Sequence, residues 1–408
     1  MNKKLCIFMI VIFALLLNGC QKNEDIPKKE DIKDMEESEE EKIDSIKESM
    51  INMTMEEKIG QLLIVGIEGT AIEENTIELI EDYKVGGFIL FSRNINDEHQ
   101  TLELLNSLKK ANSNNDIPLF LSIDEEGGRV SRLPKSFEKL PEAKKIGDIN
   151  DKDFSFKYGK ILGERVKSLG FNMDFAPVLD INSNPKNPTI GNRAFGSTID
   201  VVVYNGLEVM EGIQSVGVVP SIKHFPGHGD ISIDSHLDLP IIDKNLNDLK
   251  EFELVPFKRA IDEGADMVMV GHMLLADVDA DNPSSLSKKV ITDVLRHDLK
   301  YDKVVITDDM TMGAIVKNYD IGEASLKSLK AGSDIVLICH GYENSKKVID
   351  TLKKAVEDGD ITEDEIDEKV YRILKVKDKY RLNDEKVKYA NIEKINIETR
   401  KILDKYIK

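Results

Sequence analysis

From residue 54 onward, eight short apolar runs recur: Leu62–Val65, Gly86–Phe91, Leu119–Ile123, Phe171–Phe175, Val218–Ile222, Met267–Val270, Val304–Ile306 and Ile335–Ile338. Longer stretches with amphipathic helical spacing separate them. Near-continuous apolar strands alternating with helices are what a parallel sheet buried on both faces requires. Eight such units predict an α/β fold, a closed (β/α)8 barrel of the TIM type. In that architecture functional groups follow the strands at the C-terminal rim. Asp124 follows the third run, Arg193 lies in the long segment after the fourth, Lys223 and His224 follow the fifth, His272 the sixth and Asp308 the seventh. The segment 177–200, rich in Asn, Pro and Gly, is too turn-prone for a helix and reads as a lid or rim. Glu363 to Tyr380 reads as a capped amphipathic helix, and helical spacing continues toward the C-terminus.

The first residues follow other rules. Lys3 and Lys4 precede an apolar run, Leu5 to Leu17, too short to span a bilayer, so residues 1–19 read as a secretory signal. It ends in Leu17-Asn18-Gly19-Cys20, which resembles the bacterial lipobox, in which a small residue precedes a cysteine that is acylated; Asn18 is not the usual choice there. Acylation at Cys20 would anchor the chain to the outer face of the cell membrane, or to the periplasmic face where there is an outer membrane. Residues 20–49, rich in Glu, Lys and Asp and without aromatics, read as a solvated tether. That assigns 50–385 to the barrel and 386–408 to a helical tail, with no second folded domain expected.

Composition adds limits. A chain of 408 residues, 41% hydrophobic and 32% charged, can build one large soluble domain. Loss of the two signal lysines takes the formal charge from −19 to −21, which argues against nucleic acid or anionic polymers as partners. Cys339 is left as the single thiol of the mature body, a buried core residue by its position after Ile335–Ile338. Tryptophan is absent, which favours a short pocket over a long groove.

The densest chemistry is Lys223-His224-Phe225-Pro226-Gly227-His228-Gly229-Asp230-Ile231-Ser232-Ile233-Asp234-Ser235-His236: three histidines, one lysine and two aspartates in fourteen residues of a chain with seven histidines. Imidazoles and carboxylates at such spacing can ligate a metal, with His224, His228, Asp230 and His236 as the donors. Asp234 and His236 can equally form a pair in which the carboxylate orients the ring and the other ring nitrogen moves a proton. Spacing alone does not choose.

Together with Asp124-Glu125-Glu126-Gly127-Gly128-Arg129-Val130, Gly191-Asn192-Arg193-Ala194-Phe195-Gly196 and Thr307-Asp308-Asp309-Met310, this stretch resembles glycoside hydrolase family 3, in its NagZ-type β-N-acetylglucosaminidase branch. The resemblance covers about residues 50 to 385. It implies a retaining exo-glycosidase that removes terminal N-acetylglucosamine, most naturally from peptidoglycan fragments. Asp308 would be the nucleophile and His236, oriented by Asp234, the acid/base. Asp124, Arg193, Lys223 and His224 would hydrogen-bond the sugar. Arg129 is expected to pair with Asp124, His228 and His272 to shape the pocket, and Asp230 to cap its loop. Gly227 and Gly229 are expected to let that loop move, and Asp309 to cap or brace its own turn. No metal or cofactor is implied, and a monomer is expected. Glu125 stands where the family commonly has glutamine, and without the C-terminal domain of many relatives the chain would complete its site alone. Rival readings are a β-glucosidase or β-xylosidase, a phosphorylase, the metal hydrolase and a non-catalytic saccharide-binding lipoprotein.

Overall fold

The computed structural model describes residues 45–231 and 239–407. Of the N-terminal unit, residues 1–49, the described residues 45–49 are helical, and residues from Met50 onward form a second compact unit. Among the described residues no helix is long and apolar enough to cross a membrane.

The second unit is a closed barrel of eight parallel strands: β1 (Leu63–Gly66), β2 (Gly87–Leu90), β3 (Phe120–Ile123), β4 (Met173–Asp174), β5 (Val219–Phe225), β6 (Met267–Val270), β7 (Val304–Asp309) and β8 (Ile335–Ile338). Each strand pairs with the next, and β8 closes on β1 through Leu63↔Val336 and Ile64↔Leu337. Every residue of β2, β3, β6 and β8 is buried, as expected for strands covered by helices outside and by barrel-filling side chains within. Phe120, Phe175 and Phe225 are each 0% exposed, and burying such a side chain stabilises the fold by roughly 1.5–3 kcal/mol.

Three strands differ from the apolar runs that predict them by more than one residue at an end. The fourth shrinks to Met173–Asp174 because the Asn172 side chain takes over the pairing at its start, accepting from Leu121 N–H and donating to Leu119 O. β5 continues through Lys223 and His224 to Phe225, which pairs with Val270, with an irregular register after Ile222. β7 continues through Thr307 and Asp308 to Asp309, opposite Leu337. Apolar periodicity stops where the strands enter the polar mouth, but backbone pairing does not.

The helices are fixed by local signals. Lys152–Leu169 starts at Asp151, whose side chain accepts from Phe154 N–H, and stops at Gly170 in the left-handed region. Glu363–Lys379 opens with a Thr362/Glu365 capping box. Near its end, Lys377 reaches beneath the barrel and donates to Gln61 Oε1 and to the carbonyls of Gly86 and Pro118, which precede β1, β2 and β3. The C-terminal helix Ile392–Tyr406 lies against Lys152–Leu169, with the Tyr406 ring stacked 4.7 Å from Phe154.

Candidate active site

A cavity of about 380 Å³ opens at the C-terminal mouth. Its lining brings together five of the residues singled out in the sequence, Asp124, Arg193, Lys223, His224 and Asp308, from β3, the segment after β4, β5 and β7. Pro188 and Thr189 also line it, so the segment 177–200 forms part of the rim.

Glu126 organises these groups. Arg193 donates to both of its oxygens, Nε to Oε2 at 2.8 Å and Nη2 to Oε1 at 2.7 Å. Lys223 Nζ lies 2.7 Å from the same Oε1 and donates to Asp124 Oδ1 at 2.6 Å. Although burial alone would raise the Glu126 pKa, the two cations hold it well below the usual carboxylate range. Burial would lower both cations, but attraction to Asp124 and then Glu126 raises Lys223, and attraction to Glu126 raises Arg193. Lys223 therefore holds Asp124 at the cavity in a fixed hydrogen-bonded network. Most Arg193 donors are committed to Glu126 and, from Nη1, to Thr189 O at 3.2 Å, so the arginine pins the rim loop as well as lining the pocket. Glu126 can reach this place because Gly127 and Gly128 turn the chain with φ of 82° and 58°. A Cβ on Gly127 would lie 2.0 Å from the Tyr158 hydroxyl.

Behind β5 lies Asp180, fully buried. It accepts from His224 Nδ1 at 2.7 Å and from the His228 backbone N–H at 2.6 Å. Arg193 Nη2 can only donate, so at 3.3 Å His224 Nε2 is its acceptor, and the His224 proton sits on Nδ1 facing Asp180. Burial would raise the Asp180 pKa, but His224 draws it down. Burial and then the neighbouring His224 push His228 down to about 4, so its ring is neutral at physiological pH. The Gly227–Gly229 stretch is buried and tied rather than free: Asn187 donates to His228 O, and a Cβ on Gly229 would lie 1.7 Å from Ile181 O. Asp230 accepts from Ser183 and faces Lys244 Nζ at 2.8 Å, which braces the loop as expected.

At the end of β7, Asp308 lines the cavity with its Oδ1 accepting from Asp309 N–H at 2.8 Å. Asp309 is the bracing acid: it accepts from Thr311 N–H, the Thr311 hydroxyl and Cys339 N–H, tying β7 to β8. Buried His272 donates from Nε2 to Asp309 O at 2.9 Å, which leaves Nδ1 to accept from the Ser285 hydroxyl at 2.7 Å in the neutral ring. Cys339 also lines the cavity, its thiol pushed well up by burial.

Asp234 and His236, and the lipidation residue Cys20, lie outside the described residues. Arg129 does not pair with Asp124, whose carboxylate is held by Lys223; it donates instead to Thr189 O and Ile190 O across the rim. Sequence reasoning passed over Glu126, Asp180 and Arg132. Arg132 lines the cavity, and its buried Nε has no hydrogen-bond partner among the described residues. Its signal was available, eight residues past Asp124 in the same rim turn. Among the described residues no three His, Cys, Asp or Glu side chains gather as a metal set.

A compact cavity at the mouth of a (β/α)8 barrel, lined by the carboxylates Asp124 and Asp308 and by the donors Arg193 and Lys223 among apolar walls, marks the chain as a barrel enzyme. Residues 54–376 match the family model described as "Glycosyl hydrolase family 3 N terminal domain". The chain belongs to glycoside hydrolase family 3. A β-hexosaminidase of Nitrosomonas eutropha is 35% identical over 298 residues, 71% of this chain and 84% of that protein. β-Hexosaminidase A of Pseudoalteromonas piscicida is 32% identical over 338 residues, 76% of this chain but 56% of that longer relative. The solved structure of a family 3 β-N-acetylglucosaminidase from Paenibacillus sp. superposes with a TM-score of 0.82 at 37% identity, over 87% of this chain and 69% of the other.

Proposed function

We propose that this protein is an exo-acting, retaining glycosidase that removes single terminal β-linked N-acetylglucosamine residues from the non-reducing ends of short saccharides, such as peptidoglycan fragments. It is a glycoside hydrolase of the β-N-acetylhexosaminidase type. The observation that carries the reading is the convergence of Asp308 with Asp124, Arg132, Lys223 and His224 on one cavity of about 380 Å³, near the lower end of the roughly 300–1,000 Å³ typical of small-molecule sites.

In this mechanism Asp124, steadied by Lys223, accepts from a sugar hydroxyl, while Arg132 and the remaining Lys223 hydrogen donate to others. The ring is thereby set over Asp308, whose carboxylate attacks the anomeric carbon and forms a glycosyl ester. His236, with Asp234 behind it, donates a proton to the departing oxygen and then takes one from the water that cleaves the ester. An imidazole with an ordinary pKa of about 6.5 suits both steps near neutrality. The enzyme would act as a monomer, held at the membrane by acylated Cys20.

The test is release of p-nitrophenol from the β-N-acetylglucosaminide and the β-glucoside by the full chain in detergent, with and without phosphate and chelator. Acetamido-selective, chelator-insensitive turnover that Asp308→Ala and His236→Ala both abolish is the expected result. A rate that requires phosphate would make the enzyme a phosphorylase, and loss of activity in chelator would favour the metal hydrolase. Cys20→Ala should move the protein from the membrane to the soluble fraction with kcat unchanged.

A further inference from the structure

Glu125 is wholly buried beside the site, yet it does not face the cavity. Its oxygens accept from the Ser131 hydroxyl at 2.9 Å, Arg132 N–H at 3.0 Å and Leu133 N–H at 3.5 Å. Those three groups form the turn from which the Arg132 side chain reaches the cavity. The carboxylate's counter-charge is Arg165, whose Nη2 lies 3.6 Å away, longer than a direct hydrogen bond; the arginine is 3% exposed, and its Nε and Nη1 lack hydrogen-bond partners among the described residues. Burial pushes the Glu125 pKa up and that of Arg165 down, with their mutual attraction opposing both. So Glu125 is an expensive residue to bury, and what it contributes in return is a fixed turn.

We infer that Glu125 is a positioning residue for substrate binding: by gripping the 131–133 backbone it fixes Arg132 against the sugar, and Arg165 serves to make the buried carboxylate tolerable. The inference rests on the reading of Arg132 as a sugar-binding group. It separates two properties that a merely structural role would leave joined. Glutamine at 125 keeps a carbonyl oxygen for the Arg132 and Leu133 N–H groups but removes the charge that Arg165 faces. Alanine removes both.

The test compares Glu125→Ala, Glu125→Gln and Arg132→Ala, alone and combined, in the full chain. The readouts are KM for the p-nitrophenyl glycoside, Kd for N-acetylglucosamine by calorimetry, and Tm. Because a misplacement of about 1 Å can cost as much as a hundredfold, Glu125→Ala should raise KM and Kd by roughly ten- to hundredfold. Glu125→Gln should restore KM to within about threefold while still lowering Tm. In the Arg132→Ala background Glu125→Ala should add less than about twofold, since the two act as one unit. Unchanged KM and Kd in folded Glu125→Ala, or effects of the two substitutions that simply multiply, would overturn the inference. If Glu125→Ala does not fold, Glu125→Asp takes its place under the same criteria, its shorter carboxylate drawing back from both N–H groups. Wild-type protein that binds the sugar without turnover would refute the proposed reaction and leave Kd to test Glu125; no binding and no turnover would overturn both.

Discussion

Replacing Glu126 by glutamine should damage stability and activity together. Three charge-assisted contacts meet on this carboxylate, two from Arg193 at 2.8 and 2.7 Å and one from Lys223 at 2.7 Å. A glutamine whose carbonyl takes the Oε1 place can still accept from Arg193 Nη2 and Lys223. Its NH2 then confronts the Arg193 Nε–H, donor against donor. The lost contact alone is worth about 1.5–3 kcal/mol. The missing charge leaves two buried cations facing Asp124, and breaking a buried ion network in this way typically costs about 3–5 kcal/mol. The expected destabilisation by urea titration is therefore about 3–5 kcal/mol. The expected fall in kcat/KM is about a hundredfold or more, since each 1.36 kcal/mol of lost transition-state binding is tenfold. Added salt should not rescue either property, because buried pairs are weakly screened. Glu126→Met, which offers no acceptor, should be worse than glutamine. A glutamine variant within about 1 kcal/mol of wild-type stability and threefold of its kcat/KM would refute the claim that Glu126 organises the site.

His228, with its pKa pushed down to about 4, should make the fold acid-sensitive. Between that value and about 6.5 the unfolded chain binds a proton that the native ring refuses, so stability falls with falling pH, by about 3 kcal/mol at pH 4; urea midpoints at pH 7 and 4.5 should converge in His228→Gln. Gly127→Ala, with φ at 82° and a Cβ 2.0 Å from the Tyr158 hydroxyl, should lower Tm and displace Glu126, with activity lost in proportion. Lys377→Met strips the donor from three buried oxygens below β1, β2 and β3 and should cost about 3 kcal/mol or more in stability at unchanged kcat. The contrast between the two lysines, Lys223 at the mouth and Lys377 at the base, checks that function sits on one face of the barrel only.

The eight strands are legible in the sequence because burial is a property each residue carries alone: Val304, Val305 and Ile306 lose water wherever they are placed, so their order along the chain reveals the strand. Asp308 and Asp124 are legible for a derivative reason, as the first acidic residues past an apolar run. The strand ends are not, since β5 and β7 keep pairing through Lys223, His224 and Asp308, residues that break the apolar pattern because they face the mouth. Nor are the partners. Glu126 finds Arg193 across 67 residues and Asp180 finds His224 across 44, and no local periodicity encodes such a meeting. Arg129 makes the same point: it stands five residues from Asp124 in the chain, yet Lys223, 99 residues away, holds that carboxylate. Transfer free energy is summed over single residues, whereas the energy of the mouth is a sum over pairs that exist only after the barrel closes. A chain with the same eight runs and an apolar residue at 126 would thus be read as the same barrel, would fold toward it, and would leave Arg193 and Lys223 to repel each other at the cavity in the barrel mouth.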